Sequence, residues 1–302
     1  MDLQTKNLSF LAFGFCQIGA CILTLYSNFI SKSLSSCLLF AWLIMFNVSA
    51  TEYQPWLGNA YEFEARGETL YQGFATLASD GDHKKYLCND FFLNFSLINS
   101  IPDPSFGIEL EVTGALTRKQ HGEVDQLKFT GRYVWQDDIM GDPLSMITGA
   151  SYIQAFEHSL KDLSSFHHGL YNIECFVSVG RESSDETRWG SRWWGMFGLG
   201  IAEKGSAWFR LRFDYDKRFN QKHEIGLFIE GLCGLGHKHL EIKKFEGYGA
   251  VKHQSVDAGL RYVYVLDYCG NASLEYCYRL YANNFPAYTH RVVAQFLYPF
   301  GW

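Results

Sequence analysis

His253, Gln254 and Ser255 follow one another, and Asp257 stands two residues further on. On an extended strand, residues two apart share a face, so the His253 imidazole is placed to take the hydroxyl proton of Ser255 and make it a nucleophile. Asp257, or less directly Glu230 or Glu241, would orient that imidazole as the acid of a triad. Histidines also stand as His167-His168 and as His237-Lys238-His239, the second with the spacing that puts two imidazoles on one strand face, as a transition-metal site needs. Neither pair has a third ligand at a telling spacing. The expectation is therefore solvated loop histidines, with no metal and no cofactor.

A larger set of charged residues recurs at alternate positions: Lys128, Arg132, Glu174, Arg210, Arg212, Asp214, Glu224, Glu230, Asp257, Arg261, Glu275 and Arg279. Gathered inside a narrow hydrophilic pore, charges of both signs tune which solute passes. Gathered inside a barrel too small to conduct, they form a plug of paired ions. Both readings need an element that turns every second side chain inward.

Such elements recur along the chain. From Ala207 to Asp216 the odd positions are Ala207, Phe209, Leu211, Phe213 and Tyr215, while the even ones include Arg210, Arg212, Asp214 and Asp216. This is the period of a strand with one greasy and one charged face. The same alternation runs through 106–113, 126–135, 171–179, 224–230, 256–264 and 272–280, and more weakly through 61–74, 90–98, 143–153 and 193–202. With 291–302 these make about twelve strands of roughly nine to twelve residues, the length of a tilted membrane-spanning strand and long for a globular one. Strands in lipid must pair every backbone polar group, so they close into a barrel.

The fold class expected is all-β: a transmembrane, antiparallel up-and-down barrel of about twelve strands. Outer connections near 79–89, 117–123, 154–169, 203–205, 236–252 and 282–289 should be longer than inner turns near 99–104, 136–142, 181–191, 217–222 and 267–271. Trp189, Trp193 and Trp194 cluster where an interfacial aromatic girdle would sit. The competing reading is a secreted β-sandwich, which alternates too but turns its apolar face inward.

Composition narrows the classes. The 302 residues carry 26 basic and 32 acidic side chains, a formal charge of −6, with 19% charged and 17% aromatic residues. That excludes a disordered chain, and it argues against nucleic acid as a partner, which demands a basic face. The first fifty residues differ from the rest. Leu8–Ile30 is an apolar run long enough to span a bilayer as a helix, whereas Cys37–Phe46 has the length of a signal-peptide core. Val48-Ser49-Ala50 then supplies small residues at the −3 and −1 positions of a cleavage site. The expected division is 1–50 as an apolar segment with a signal peptide and 51–302 as the barrel domain. Cys88, Cys175, Cys233, Cys269 and Cys277 follow the cleavage site; Cys269 and Cys277 either pair across a hairpin or, like the others, pack as small apolar residues.

The chain ends in Val292, Ala294, Phe296, Tyr298, Phe300 and Trp302 at alternate positions, apolar and mostly aromatic. This resembles the C-terminal signature of Gram-negative outer-membrane β-barrel proteins. The resemblance implies an outer-membrane location, the lipid bilayer as surroundings and recognition of the last strand by the barrel-assembly machinery. Trp302 replaces the usual terminal Phe, and Pro299 removes one ladder donor from the closing strand. The His253-Gln254-Ser255 arrangement resembles that of outer-membrane phospholipases and lipid A deacylases, although Val256 stands where those families have Asn. Three functions follow as expectations. The first is a small porin-like channel with a mixed-charge lumen, passing small solutes. The others are a lipid-acting hydrolase using His253 and Ser255, and a non-conducting surface barrel that binds ligands through its outer loops.

Overall fold

The computed structural model describes residues 53–58, 62–79, 82–100, 105–185, 188–266 and 269–301. The expected signal segment, its cleavage site and Trp302 lie outside the described residues, as does the Trp189 side chain.

Twelve long strands alternate up and down: β1 (Glu62–Ser79), β2 (Asp82–Ser100), β3 (Phe106–Leu116), β4 (His121–Gln136), β5 (Ser145–Ala155), β6 (Tyr171–Asp185), β7 (Arg188–Ala202), β8 (Trp208–Phe219), β9 (His223–Gly234), β10 (Gln254–Val265), β11 (Asn271–Asn283) and β13 (His290–Gly301). A three-residue strand, β12 (Phe285–Ala287), lies against the outer end of β1. Each long strand pairs antiparallel with the next, and β1 pairs with both β2 and β13. The sheet is closed and no long strand is left as an edge.

Burial separates this barrel from a sandwich. Leu110, Phe129, Ile173, Phe197, Phe213, Leu227, Leu260 and Leu274 are exposed, while neighbours such as Glu109, Thr130, Glu174 and Asp214 are buried. Charged inside and greasy outside is the inverse of a water-soluble core, and so large an apolar surface belongs in lipid.

Every segment with the alternating pattern is a strand, but two expected connections are not loops. β1 and β2 run on to Ser79 and Asp82, and β6 and β7 run on to Asp185 and Arg188. Asp82, His83, Lys84 and Lys85 are all exposed, so β2 keeps its ladder to β1 beyond the point where its own alternation vanishes. The tryptophan pair also divides. Trp193 faces outward, whereas Trp194 is buried inside with Tyr53, Ile147, Phe176 and Met196. Adjacent strand residues must point to opposite faces, so both cannot join one girdle. Pro299 lies beyond the last β11–β13 pair, Asn271↔Leu297, where β13 has a neighbour only in β1, and the missing donor is tolerated there.

Glu62 and Gly301, at the two ends of the barrel, pair at one rim, which the general architecture of outer-membrane barrels makes the periplasmic one. At the opposite rim the connections 156–170, 235–253 and 284–289 fold inward, and Leu163, Leu240, Phe245, Tyr248, Val251 and Phe285 form an apolar cluster with Phe74, Leu77 and Tyr86 of β1 and β2.

Candidate functional site

The period of the strands turns the charged positions toward one another, and the barrel wall becomes an ion-pair network. On its β8–β13 side, Arg212 contacts Asp214 at 2.7 Å and both Glu230 and Glu275 at 3.7 Å. Arg261 lies 2.8 Å from Asp216 and 3.1 Å from Asp214. Arg291 bridges Asp257 at 3.1 Å and Glu230 at 3.9 Å, and Arg210 links Glu230 to Glu174. Arg279 closes a two-point pair on Asp257, Nε to Oδ1 at 2.7 Å and Nη2 to Oδ2 at 2.8 Å. On the opposite side Arg66 and Arg132 share Glu109. Glu224 pairs with Arg218 near the periplasmic rim.

The two signs are not equally presented. Arg210, Arg212, Arg261 and Arg291 keep side-chain exposures of 14–27%, whereas Asp214, Glu174 and Asp257 keep 1–6%. These guanidinium groups stand in front of Asp214, Glu174 and Asp257, while Glu230 and Glu275, at 18% and 17%, share the front with them. They line a cavity of about 460 Å³ in the inner half of the barrel, whose wall carries eight arginines and six carboxylates. Arg66, Arg192, Arg218, Arg291 and Asp216 on that wall extend the set read from sequence. Asp216 already stood on the alternation of 207–216, and Arg291 could have been found by continuing that of the last strand.

Residues 53–57 enter this cavity from the periplasmic side. The Tyr53 hydroxyl donates to Glu174 at 3.2 Å and accepts from Arg210 at 3.2 Å, and the Lys128 ammonium sits 5.7 Å from its ring centroid. The Trp56 indole donates to Asp138 at 2.9 Å and lies under the Arg192 guanidinium. Asp138 belongs to the turn between β4 and β5. Burial works against its charge, but donors from Ser145, the Glu182 amide and Trp56 prevail and hold its carboxyl below the usual range. Sequence reasoning missed this segment, because nothing in Tyr53–Leu57 has strand periodicity.

The outer mouth holds His253, which is fully buried. Its Nδ1 bonds the Val251 carbonyl at 2.9 Å and its Nε2 faces the Nε2 of His168 at 3.2 Å. Both ring nitrogens are thus engaged by groups other than Ser255, and Asp257 is engaged by Arg279 and Arg291. The structure brings His253, Ser255 and Asp257 to one interior face without joining them as a triad. His167 and His168, expected in solvent, are buried, His167 bonding Asp125 at 2.9 Å. The reason is the inward fold of 156–170, which Gln120 anchors through Asp125, Asp162 and Ser165. His237 and His239 are exposed, and among the described residues no cluster of His, Cys, Asp and Glu could hold a metal. The five cysteines are unpaired. Cys269 is exposed, and Cys277 is buried, 3.2 Å from Arg291.

No family model matches the chain, and no curated protein matches it by sequence. Solved structures do match. An outer membrane channel from Pseudomonas putida F1 superposes with a TM-score of 0.61 at 6% identity, over 83% of this chain and 100% of that one. The chain has the fold of an outer-membrane β-barrel. The NanC porin superposes with a TM-score of 0.51 at 6% identity, over 78% of this chain and 98% of that one. At such identity the likeness is one of fold.

Proposed function

We propose that this barrel is a channel for small hydrophilic solutes whose lumen favours anions. The observation that carries the reading is the lining of the inner cavity, where eight arginines face six carboxylates and Asp214, Glu174 and Asp257 lie buried behind the arginines they pair with. A solute anion meets more guanidinium groups than carboxylates on this wall, and binding that is multidentate but shared leaves it free to move on. The likeness to outer-membrane channels of two kinds supports this reading at the level of fold. The loops across the outer mouth favour a second state of the same barrel, closed and non-conducting at rest. The hydrolase reading has only proximity on one face behind it.

The test is single-channel recording in planar bilayers on the full protein purified from outer membranes, checked as folded by the shift in gel mobility on boiling. Discrete steps with a reversal potential on the anion side of a salt gradient are expected. Silence from folded protein at every voltage and pH would leave the non-conducting surface barrel in its place.

A further inference from the structure

We infer that His168 and His253 form an acid-released latch that holds the loops 156–170 and 235–253 across the outer mouth. The inference rests on the channel reading only for its consequence, which is the opening of that mouth.

The proton positions follow from the bonding. The Val251 carbonyl accepts at 2.9 Å, so Nδ1 of His253 carries its hydrogen and its Nε2 is a lone pair. Nε2 of His168 must therefore be the donor across the 3.2 Å gap. A second proton on His253 would set N–H against N–H. A second proton on Nδ1 of His168 would place a charge in a buried ring stacked 3.7 Å from the Trp208 centroid.

The Trp208 face offers it a cation–π contact, but no charged group packed against the pair offers compensation. Arg210 on β8 and Arg279 on β11 are cations, and His167 adds a third titratable ring. Tyr248 and Phe285 offer the ring of His253 aromatic contacts at 5.2 and 5.4 Å. The carboxylates within reach are already claimed: Asp125 by His167, Asp257 by Arg279 and Glu174 by Arg210. Burial, joined by these charges, lowers His168 well below its usual value and takes His253 down to about 4. Free imidazoles titrate near 6.5, so the closed arrangement is fully stabilised above that pH and loses its hold as the pH falls from 6.5 toward 4.

The two loops are tied directly. The Tyr248 amide donates to the His167 carbonyl at 2.7 Å and the Gly249 amide to the His168 carbonyl at 3.0 Å. Separating the imidazoles pulls on both bonds. Gly234 lets the latch form, since a methyl group there would overlap the His253 ring.

Hydrogen–deuterium exchange of the full protein in lipid nanodiscs reads these amides directly, while conductance is recorded in parallel. Corrected for intrinsic exchange, protection at Tyr248 and Gly249 should fall about tenfold or more between pH 7.5 and 4.5. The double variant His168→Phe/His253→Phe keeps rings against Trp208 and Phe285 and removes both titrations, so it should retain protection at pH 4.5; His168→Gln/His253→Gln serves if the phenyl rings disturb the fold. Wild-type protection that is unchanged by acid, or lost equally in a folded non-titrating variant, overturns the latch whatever the conductance does. Protection lost in wild type alone, with no current at any pH, upholds the latch and overturns the channel.

Discussion

The Trp208 indole lies across Gly200, its ladder partner on β7, so closely that a methyl group at position 200 would overlap the ring. The pattern recurs inside the barrel. Phe176 covers Gly149 and Phe228 covers Gly259, each pair directly opposite across neighbouring strands. A glycine leaves room for a large ring to lie flat on the wall, and the ring in turn covers the backbone that the glycine exposes. Trp208 is the most consequential of these, because its outer face carries His168.

Gly200→Ala should therefore cost about 1–3 kcal/mol by overpacking. It should also tilt Trp208 and loosen loop 156–170. Urea unfolding in detergent measures the first effect, and exchange at Tyr248 and Gly249 the second. Gly231→Ala is the control, since a methyl group there meets nothing within 4 Å, and it should be neutral in both.

Arg279 and Asp257 separate buried from exposed electrostatics. Both side chains are at most 6% exposed, and Arg279 also lies over Phe285 and donates to the Pro286 carbonyl, tying β12 to the wall. Asp257→Ala should destabilise the barrel by about 3–5 kcal/mol, because it strands a buried guanidinium. Lys244 and Glu241, 83% and 68% exposed, form a pair whose removal should change nothing measurable. Denaturation midpoints of Asp257→Ala and Glu241→Ala, compared side by side, check the contrast.

How much was legible follows from where the solvent changes. Lipid and lumen make opposite demands on adjacent residues, so Leu211, Arg212, Phe213 and Asp214 announce a strand and its two faces without help from the rest of the chain. The charged positions on β8 to β11 were readable for the same reason. Outside the bilayer that contrast ends. The loops 156–170 and 235–253 are mixed in polarity whether they wave in water or fold inward, and only three-dimensional packing decides that His168 meets His253. Residues 53–57 are too few to display any period, so Tyr53 and Trp56 gave no sign of entering the barrel. The Ser255 reading shows the converse. A spacing of two puts side chains on one face, but it does not say which neighbour on another loop will reach the imidazole first.

If the guanidinium groups set selectivity, their loss should show in permeability before it shows in conductance. Arg212 is 17% exposed in the lumen and touches Asp214, Glu230 and Glu275. Arg212→Gln leaves those carboxylates uncompensated toward the pore, and the anion-to-cation permeability ratio should fall about twofold to fivefold. Glu275→Gln should move the ratio the opposite way. Reversal potentials under a tenfold salt gradient measure both. Equal values in the two variants would mean that ions do not pass these side chains.

The inner segment and the outer latch should separate on a pH scale. Trp56 is held by Asp138, whose carboxyl titrates below its usual 3.8 because three donors outweigh the burial that opposes its charge. A depressed carboxylate contributes stability that is complete above the unfolded value and is lost as the pH falls through the folded one. Trp56 should therefore stay seated across the whole range from 6.5 to 4 in which the outer imidazoles take up protons, and leave only below it. Asp138→Asn removes the charge without changing the shape of the side chain, and Trp56 should then be loosened already at neutral pH. A nitroxide on Gln54→Cys, which keeps Trp56 in place, in a background where the five native cysteines of residues 51–302 are serine, reports the seat by its mobility. Loss of immobilisation between pH 6.5 and 4 would mean that the two ends of the barrel open together, and that Asp138 is not what holds the inner one.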